Sequence, residues 1–388
     1  MSKEKEFVTP LFVQADGIND CYKELLKGIL EEGQIIVSRG LETKEIRPVT
    51  IILSNPRERF LMCPSRLIHP YFQIMESIWI LGGRGDVDWI SYYLSNMIKY
   101  SDGQREFHAP YGKRMRGWGH HRDTGLNMAG NGFEVDQFRS CYEYLKKDIN
   151  TRHAIMSFWV PFFNQYGIET IDRPCNIGFH FLIRNRALDL TIFNRSNDIH
   201  FGLAGVNVVQ FSVILETMAA LLGVPVGNQI HMTNSLHYYT ESDLTQKVLI
   251  AEYEFNPYEH IGYGHFQFED DPPSLMDLDK DLRYFFEEEE EIRDSGSSSA
   301  IFGFTFLDDA LDVAMSFYSY KEGNLDHAYY AIEKVQADDI FVTCSEFLAR
   351  KITSSEKSRE VEAMVRERFK NKLSAETINI ILHYILTH

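Results

Sequence analysis

One cysteine stands among groups able to activate it. In "RPCNIGFHFLIRNRALDLTIFNRSNDIHFGLAGVN", Arg173 to Asn207, Arg173 precedes Cys175 by two residues, and Arg195 and Ser196 follow across two apolar segments whose ends a hairpin would bring together. A free thiol titrates at about 8.5, so only a few per cent is thiolate near neutrality unless positive charge lowers that value. Two readings stay open from these residues, a buried inert thiol and a nucleophile beside an anion site. Arg195 with Ser196 offers a guanidinium fork and a hydroxyl, which suits a phosphate or a surface ion pair. "NSLHYY", Asn234 to Tyr239, gathers amide, hydroxyl, imidazole and phenol groups suited to sugar hydroxyls, with a structural role for His237 as the plainer alternative. Glu76 is a single carboxylate inside "LIHPYFQIMESIWILGG", and such a group is unfavourable unless paired or used. His120 and His121 of "GHHRD" are adjacent in a loop and make a poor chelate, and there is no G-x-x-x-x-G-K-[ST] phosphate loop.

The elements that must position these groups follow from spacing. "GINDCYKELLKGILEEG" predicts a helix capped by Asn19 or Asp20, with Tyr22, Leu25, Leu26, Ile29 and Leu30 as its apolar stripe and Gly33 as its stop. Strands are expected in "QIIVS", "RPVTIILS" and "HAIMSFWV", and "IGFHFLIRNRALDLTIF" predicts a hairpin turning near Asn185 and Arg186. "LIHPYFQIMESIWILGG" and "VVQFSVILETMAALLGV" are apolar on most sides, which predicts helices packed on a sheet. Helices and strands mix without a regular βαβ repeat, so the class is α+β. The acidic, Gly/Ser-rich stretch 271–300 predicts a connector in which Glu287 to Glu291 are solvated. Beyond it, "LDDALDVAMSFYSY", "LDHAYYAIEKVQ", "IFVTCSEFLARKI" and "EVEAMVRERF" predict a helical region over 301–388.

Composition narrows the function classes. A chain of 388 residues that is 44% hydrophobic is long and apolar enough for a large core. A net charge of -17 repels phosphate backbones and argues against nucleic acid as the main partner, although a few arginines can still form a pocket for a small anion. The five cysteines lack regular spacing and predict neither a disulfide framework nor a metal site. "MSKEKEFVTP" has no apolar signal core, and no apolar run is expected to be long enough to span a bilayer. Together these predict a soluble, cytoplasmic protein.

Taken in order, the segments resemble the thymidylate synthase family, which includes the phage pyrimidine-nucleotide hydroxymethylases. From about residue 18 to about residue 250 the chain carries "ILEEG…SRG", "ESIWILGG", "PYGKRMRGW", "INTRHAIMSFW", "RPCN", "NRSNDIHFGL", "VNVVQF" and "SLHYY". The resemblance implies a thymidylate synthase-like mixed sheet covered by helices in a catalytic domain of residues 1–270, an acidic linker over 271–300 and a C-terminal helical extension over 301–388. It implies that Cys175 adds to C6 of a pyrimidine nucleoside monophosphate, that Glu76 manages protons through ordered water, and that Tyr111 orders the site near the cysteine. Arg39, Arg195 and Ser196 would hold the phosphate, joined by Arg152 from the second subunit of a homodimer. His237 and Tyr239 would bind the sugar, Asn207 would pair with the base edge, and Asp198 and Trp79 would face the folate. The implied one-carbon donor is 5,10-methylenetetrahydrofolate, with no metal.

Departures from the synthase pattern point to the product. Asn197 stands where synthases usually have cysteine, and Ser235-Leu236 where they usually have Asp-Thr, as in the phage hydroxymethylases. "GLAGVN" is one residue longer than the usual segment, His153 replaces the second arginine of a pair, and "ILHYILTH" does not resemble the tail that closes the synthase site. Water access decides the fate of an exocyclic methylene intermediate. The expectation is therefore 5-hydroxymethylation of dUMP. The alternatives are methylation to dTMP, hydroxymethylation of dCMP or CMP, and a catalytically silent nucleotide-binding protein.

Overall fold

Alternation of apolar residues along the strands decides which face of each sheet is covered. The computed structural model describes residues 10–118, 135–165, 167–250, 256–264 and 272–387. Its strands are β1 (Leu11–Ala15), β2 (Gln34–Ser38), β3 (Leu41–Ile46), β4 (Val49–Leu53), β5 (Ile155–Ser157), β6 (Asn176–Arg184), β7 (Ala187–Asn194), β8 (Asn197–Asp198), β9 (Val226–Thr233) and β10 (Leu236–Tyr239). The larger sheet runs β1-β4-β9-β7-β6-β5 and the smaller β2-β3-β10-β8. Within the larger sheet β1/β4 and β7/β9 are parallel and the other neighbours antiparallel, so the class is α+β as expected. One face presents Val13, Ile51, Leu188, Leu190, Ile192 and Phe179 to the core, while the other leaves Phe12, Ile155, Phe193 and Met232 exposed. β6 and β7 form the expected hairpin, turning on Asn185 and Arg186, both at positive φ.

Helices cover the inner face. Pro70–Leu81 starts on a proline, where a missing N–H costs nothing, with the His69 ring accepting the Phe72 N–H, and it is buried along its whole length. Val208–Leu222 packs beside it, with Phe211 edge-on to Phe179 on β6 at 4.7 Å. A π-helical turn, Ile199–Asn207, runs straight into that helix. The combined stretch Ile199–Leu222 is long and apolar enough to cross a bilayer, contrary to expectation, but 89% of its apolar window is buried inside the protein, as befits a core helix.

The acidic stretch also differs from expectation. Instead of a connector, Leu275–Ser295 is a helix opened by a Ser274–Asp277 capping box. Leu275, Leu278, Leu282, Phe285 and Ile292 recur at helical spacing and are buried, while most of the glutamates clothe the other side. Glu289 is the exception: fully buried, it accepts hydrogen bonds from Trp89 Nε1 at 2.6 Å, Tyr93 Oη at 2.5 Å and Arg293 Nη2 at 2.7 Å. The helices beyond it, Thr305–Lys321, Leu325–Lys334, Asp338–Ala349, Ser355–Phe369 and Ala375–Leu386, add to the same core. Tyr71 bonds Ser316 at 2.8 Å, and Asp339 accepts from the Gly264 N–H at 3.0 Å and Tyr258 Oη at 3.2 Å. The 301–388 helices are therefore packed directly behind the helix that carries Glu76.

Candidate active site

Cys175 ends the loop that leads into β6. It is half-buried, whereas Cys21, Cys63, Cys141 and Cys344 are buried. Burial pushes those four thiols up, Cys21 and Cys141 to about 12. Only Cys175 has the access a nucleophile needs. Arg195 returns to it because Asn176 pairs with Asn194 across the hairpin, so the residues flanking the two strands meet. The Arg195 N–H donates to the Cys175 carbonyl at 2.9 Å. Its guanidinium donates from Nε to the Pro174 carbonyl at 2.9 Å and from Nη2 to the Arg173 carbonyl at 3.2 Å, and Nη2 lies 3.6 Å from Cys175 Sγ. Nη1 donates to Ser196 Oγ at 3.2 Å, joining the two expected phosphate ligands. Arg173, the cation nearest in sequence, turns away and donates to the carbonyls of Ile168 at 2.6 Å and Asn164 at 3.4 Å.

Tyr111 fixes the loop from the other side. The first residue of the short helix Tyr111–Arg116, it accepts the backbone N–H of Cys175 at 3.0 Å and of Asn176 at 3.2 Å on its hydroxyl. Burial, then the charge of Cys175, holds its phenol well above the usual range. Behind it Arg114 donates to Phe158 O, to Asn164 Oδ1 at 2.8 Å and to the His108 carbonyl at 3.1 Å, and burial lowers it to about 10. Asp172 accepts the Ala109 N–H at 2.7 Å, tying the loop before Cys175 to the segment that leads into the same helix. Arg114 and Asp172 were not singled out in the sequence, because their partners lie in loops that only the fold brings together.

Glu76 is 9% exposed, and burial pushes its carboxyl up to about 8 while a hydrogen bond from Gln210 Nε2 works against that shift. Gln210 carries the same signal as Glu76, a polar residue in an otherwise apolar helix. Asn207 is buried and donates from Nδ2 to Asn197 Oδ1 at 3.2 Å. Asp198 caps the π-helical turn, accepting the N–H groups of His200 and Phe201 at 3.1 Å each. β10 pairs His237 with Asp198 and sets His237 edge-on to Tyr239 at 5.6 Å. Burial raises the Tyr239 phenol, which also feels Arg39, Asp198 and Cys175, so these groups share one neighbourhood. Arg39 sits exposed in the β2–β3 turn at positive φ, beside Gly40.

Two residues lie outside this cluster: Arg152, which was expected at the site of a second subunit, and Trp79. Arg152 is exposed just before the edge strand β5 and has no contact with Cys175, Arg195 or Tyr239 among the described residues. Trp79 is 3% exposed, its Nε1 donating to Asp86 at 3.2 Å and its ring edge-on to Phe107, so it belongs to the core behind the site. His120 and His121 lie outside the described residues. Among the described residues no group of three or more His, Cys, Asp or Glu side chains is placed to hold a metal ion.

Residues 20–262 match the thymidylate synthase family. The chain is 44% identical over 220 residues to a deoxyuridylate hydroxymethyltransferase of Bacillus phage SP01, covering 57% of this chain and 56% of that one. It is 34% identical over 211 residues to the protein of the same name from Pseudomonas phage M6, covering 54% and 56%. A third of that name, from Delftia phage PhiW-14, is 26% identical over 236 residues, covering 58% and 61%. The match thus spans a little over half the length of these curated relatives.

Proposed function

The chain belongs to the thymidylate synthase family, and from that premise we propose that it hydroxymethylates C5 of deoxyuridine monophosphate. The observation that carries this reading is the Cys175 centre: a half-buried thiol with Arg195 Nη2 3.6 Å from Sγ and its backbone N–H held by Tyr111. The name shared by the phage relatives, deoxyuridylate hydroxymethyltransferase, supports uracil as the base and hydroxymethyl as the product. We place the reaction in the cytoplasm.

Cys175 Sγ adds to C6 of the base, and the electron pair moves to C5, which then behaves as an enolate-like carbon nucleophile. The co-substrate 5,10-methylenetetrahydrofolate supplies the one-carbon unit. Asp198 suits a pterin, because each carboxylate oxygen accepts one backbone N–H and keeps a lone pair for ligand donors. Trp79 supports the wall of the site from behind. Glu76, whose carboxyl titrates close to working pH, moves protons on and off the base as C5 loses its hydrogen. Arg195, Ser196 and Arg39 hold the phosphate, Asn207 reads the base edge, and His237 with Tyr239 binds the sugar.

Arg152 would complete the phosphate grip of a second copy. The outer face of the larger sheet exposes Phe12, Ile155, Phe193 and Met232, and Arg152 is exposed three residues before Ile155 on the edge strand β5. An exposed apolar sheet face of this kind supports a homodimer with the sheets back to back.

Incubation with C5-tritiated dUMP and methylenetetrahydrofolate tests the reading. Tritium release with 5-hydroxymethyl-dUMP by mass and no dihydrofolate is expected. Formation of dTMP with one equivalent of dihydrofolate refutes the hydroxymethyl product. Cys175→Ser should release no tritium, and release at an undiminished rate would exclude the nucleophile.

A further inference from the structure

Three polar side chains sit in one row on the inward face of the larger sheet. Asn176 on β6 pairs with Asn194 on β7, and Asn194 pairs with Thr233 on β9. They are 1%, 2% and 3% exposed; of the next inward positions Phe179 and Ile192 are apolar, while His231 on β9 is fully buried with its Nε2 2.9 Å from Gln229 Nε2 and its Nδ1 without a partner among the described residues. Asn194 Nδ2 donates to Asn176 Oδ1. Asn176 Nδ2, Asn194 Oδ1 and Thr233 Oγ1 then have no hydrogen-bond partner among the described residues. Buried polar atoms are paired in native proteins, so three adjacent orphans mark a place for something small and polar. One donor, one acceptor and a hydroxyl able to be either match the three or so hydrogen bonds of a buried water.

The row is joined to the reacting centre by the chain itself. Asn176 follows Cys175, and Asn194 precedes Arg195, whose Nη2 touches Sγ. We propose that Asn176, Asn194 and Thr233 form a water site that serves the Cys175 pocket and supplies the hydroxyl group of the product. The proposal rests on the hydroxymethylation reading.

In the step it serves, the water oxygen forms a bond to the exocyclic methylene carbon on C5. The methylene π pair moves into the ring as an enolate ending on O4, and one water proton passes to Glu76 in the fraction of the protein in which its carboxyl is ionised. Collapse of the enolate re-forms C5=C6 and expels the Cys175 thiolate, so no oxidant or reductant is consumed.

Loss of the C5 hydrogen precedes hydration, and this separates the site from a merely structural role. In the unmodified protein, tritium released from C5-labelled dUMP and hydroxymethyl product formed should be equal. In Thr233→Val, which exchanges only a hydroxyl for a methyl, the ratio of tritium release to product should rise about fivefold as the intermediate reverts before water captures it, with KM for dUMP within about twofold. Asn194→Ser should behave the same way and keeps the test alive should one variant fold poorly. If the unmodified protein makes hydroxymethyl product and the ratio stays at one in both variants, whatever the fall in rate, the water site is wrong. If the unmodified protein instead makes dTMP and dihydrofolate, the hydroxymethylation reading fails and the water site falls with it.

Discussion

Glu76→Gln separates the cost of burying this carboxyl from its use. Glu76 is 9% exposed, and burial moves its carboxyl from an ordinary 4.5 up to about 8. In the folded chain it is protonated at pH 5 and still largely so at pH 7, whereas in the unfolded chain it ionises around 4.5. Between those values the unfolded state binds fewer protons, so the stability linked to this group is complete below 4.5 and is lost as pH rises through about 8. Between pH 5 and pH 7 the loss amounts to about 2–3 kcal/mol. Glutamine keeps the shape and an acceptor for Gln210 but does not titrate, so the variant escapes that loss. Urea unfolding of both proteins at the two pH values reads it directly: the stability of the variant relative to the parent should grow by about 2–3 kcal/mol from pH 5 to pH 7. A relative stability that does not change with pH would refute the reasoning. Activity should move the opposite way, with tritium release down by about 10²–10⁴-fold, the usual worth of a general acid or base.

Glu289→Leu leaves Trp89 Nε1, the Tyr93 hydroxyl and Arg293 without their shared acceptor. It should destabilise the protein by about 3–5 kcal/mol in denaturant titration, with Glu289→Gln recovering part of the loss. Arg152→Ala and Cys175→Ser should each be nearly inactive alone. Unfolded together and refolded, they should regain about a quarter of the parent activity, because half the dimers are mixed and each mixed dimer has one intact site. No recovery, with mixed dimers demonstrated, would remove Arg152 from the partner's phosphate site.

How far the molecule could be read from its sequence depended on whether a signal was local. The Glu76 helix was legible because its apolar run, starting proline and terminal Gly82 are contiguous, and the β6–β7 hairpin because Asn185 and Arg186 interrupt a period-two pattern. The acidic helix Leu275–Ser295 was masked by its own charge: glutamates covering an exposed side lower the average hydropathy of a segment whose other side is buried. Adjacency also misled at the cysteine, where Arg173, two residues away, points elsewhere and Arg195, twenty residues on, supplies the cation.

The Asn176–Asn194–Thr233 row shows why register matters more than residue type. Each of the three is unremarkable alone, a polar residue near a strand end, and a one-residue slip of β7 against either neighbour would turn Asn194 to the outer face and put Phe193 inside. Only the parallel pairing of β7 with β9 sets Thr233 beside Asn194, and only the hairpin sets Asn176 on its other side. Apolar residues at all three positions would form an ordinary core layer and avoid the penalty of burying unpaired polar atoms. Retaining three polar groups there, next to the nucleophile and its arginine, makes sense for a site that must bring water to one carbon while the surrounding core keeps the rest of the pocket dry.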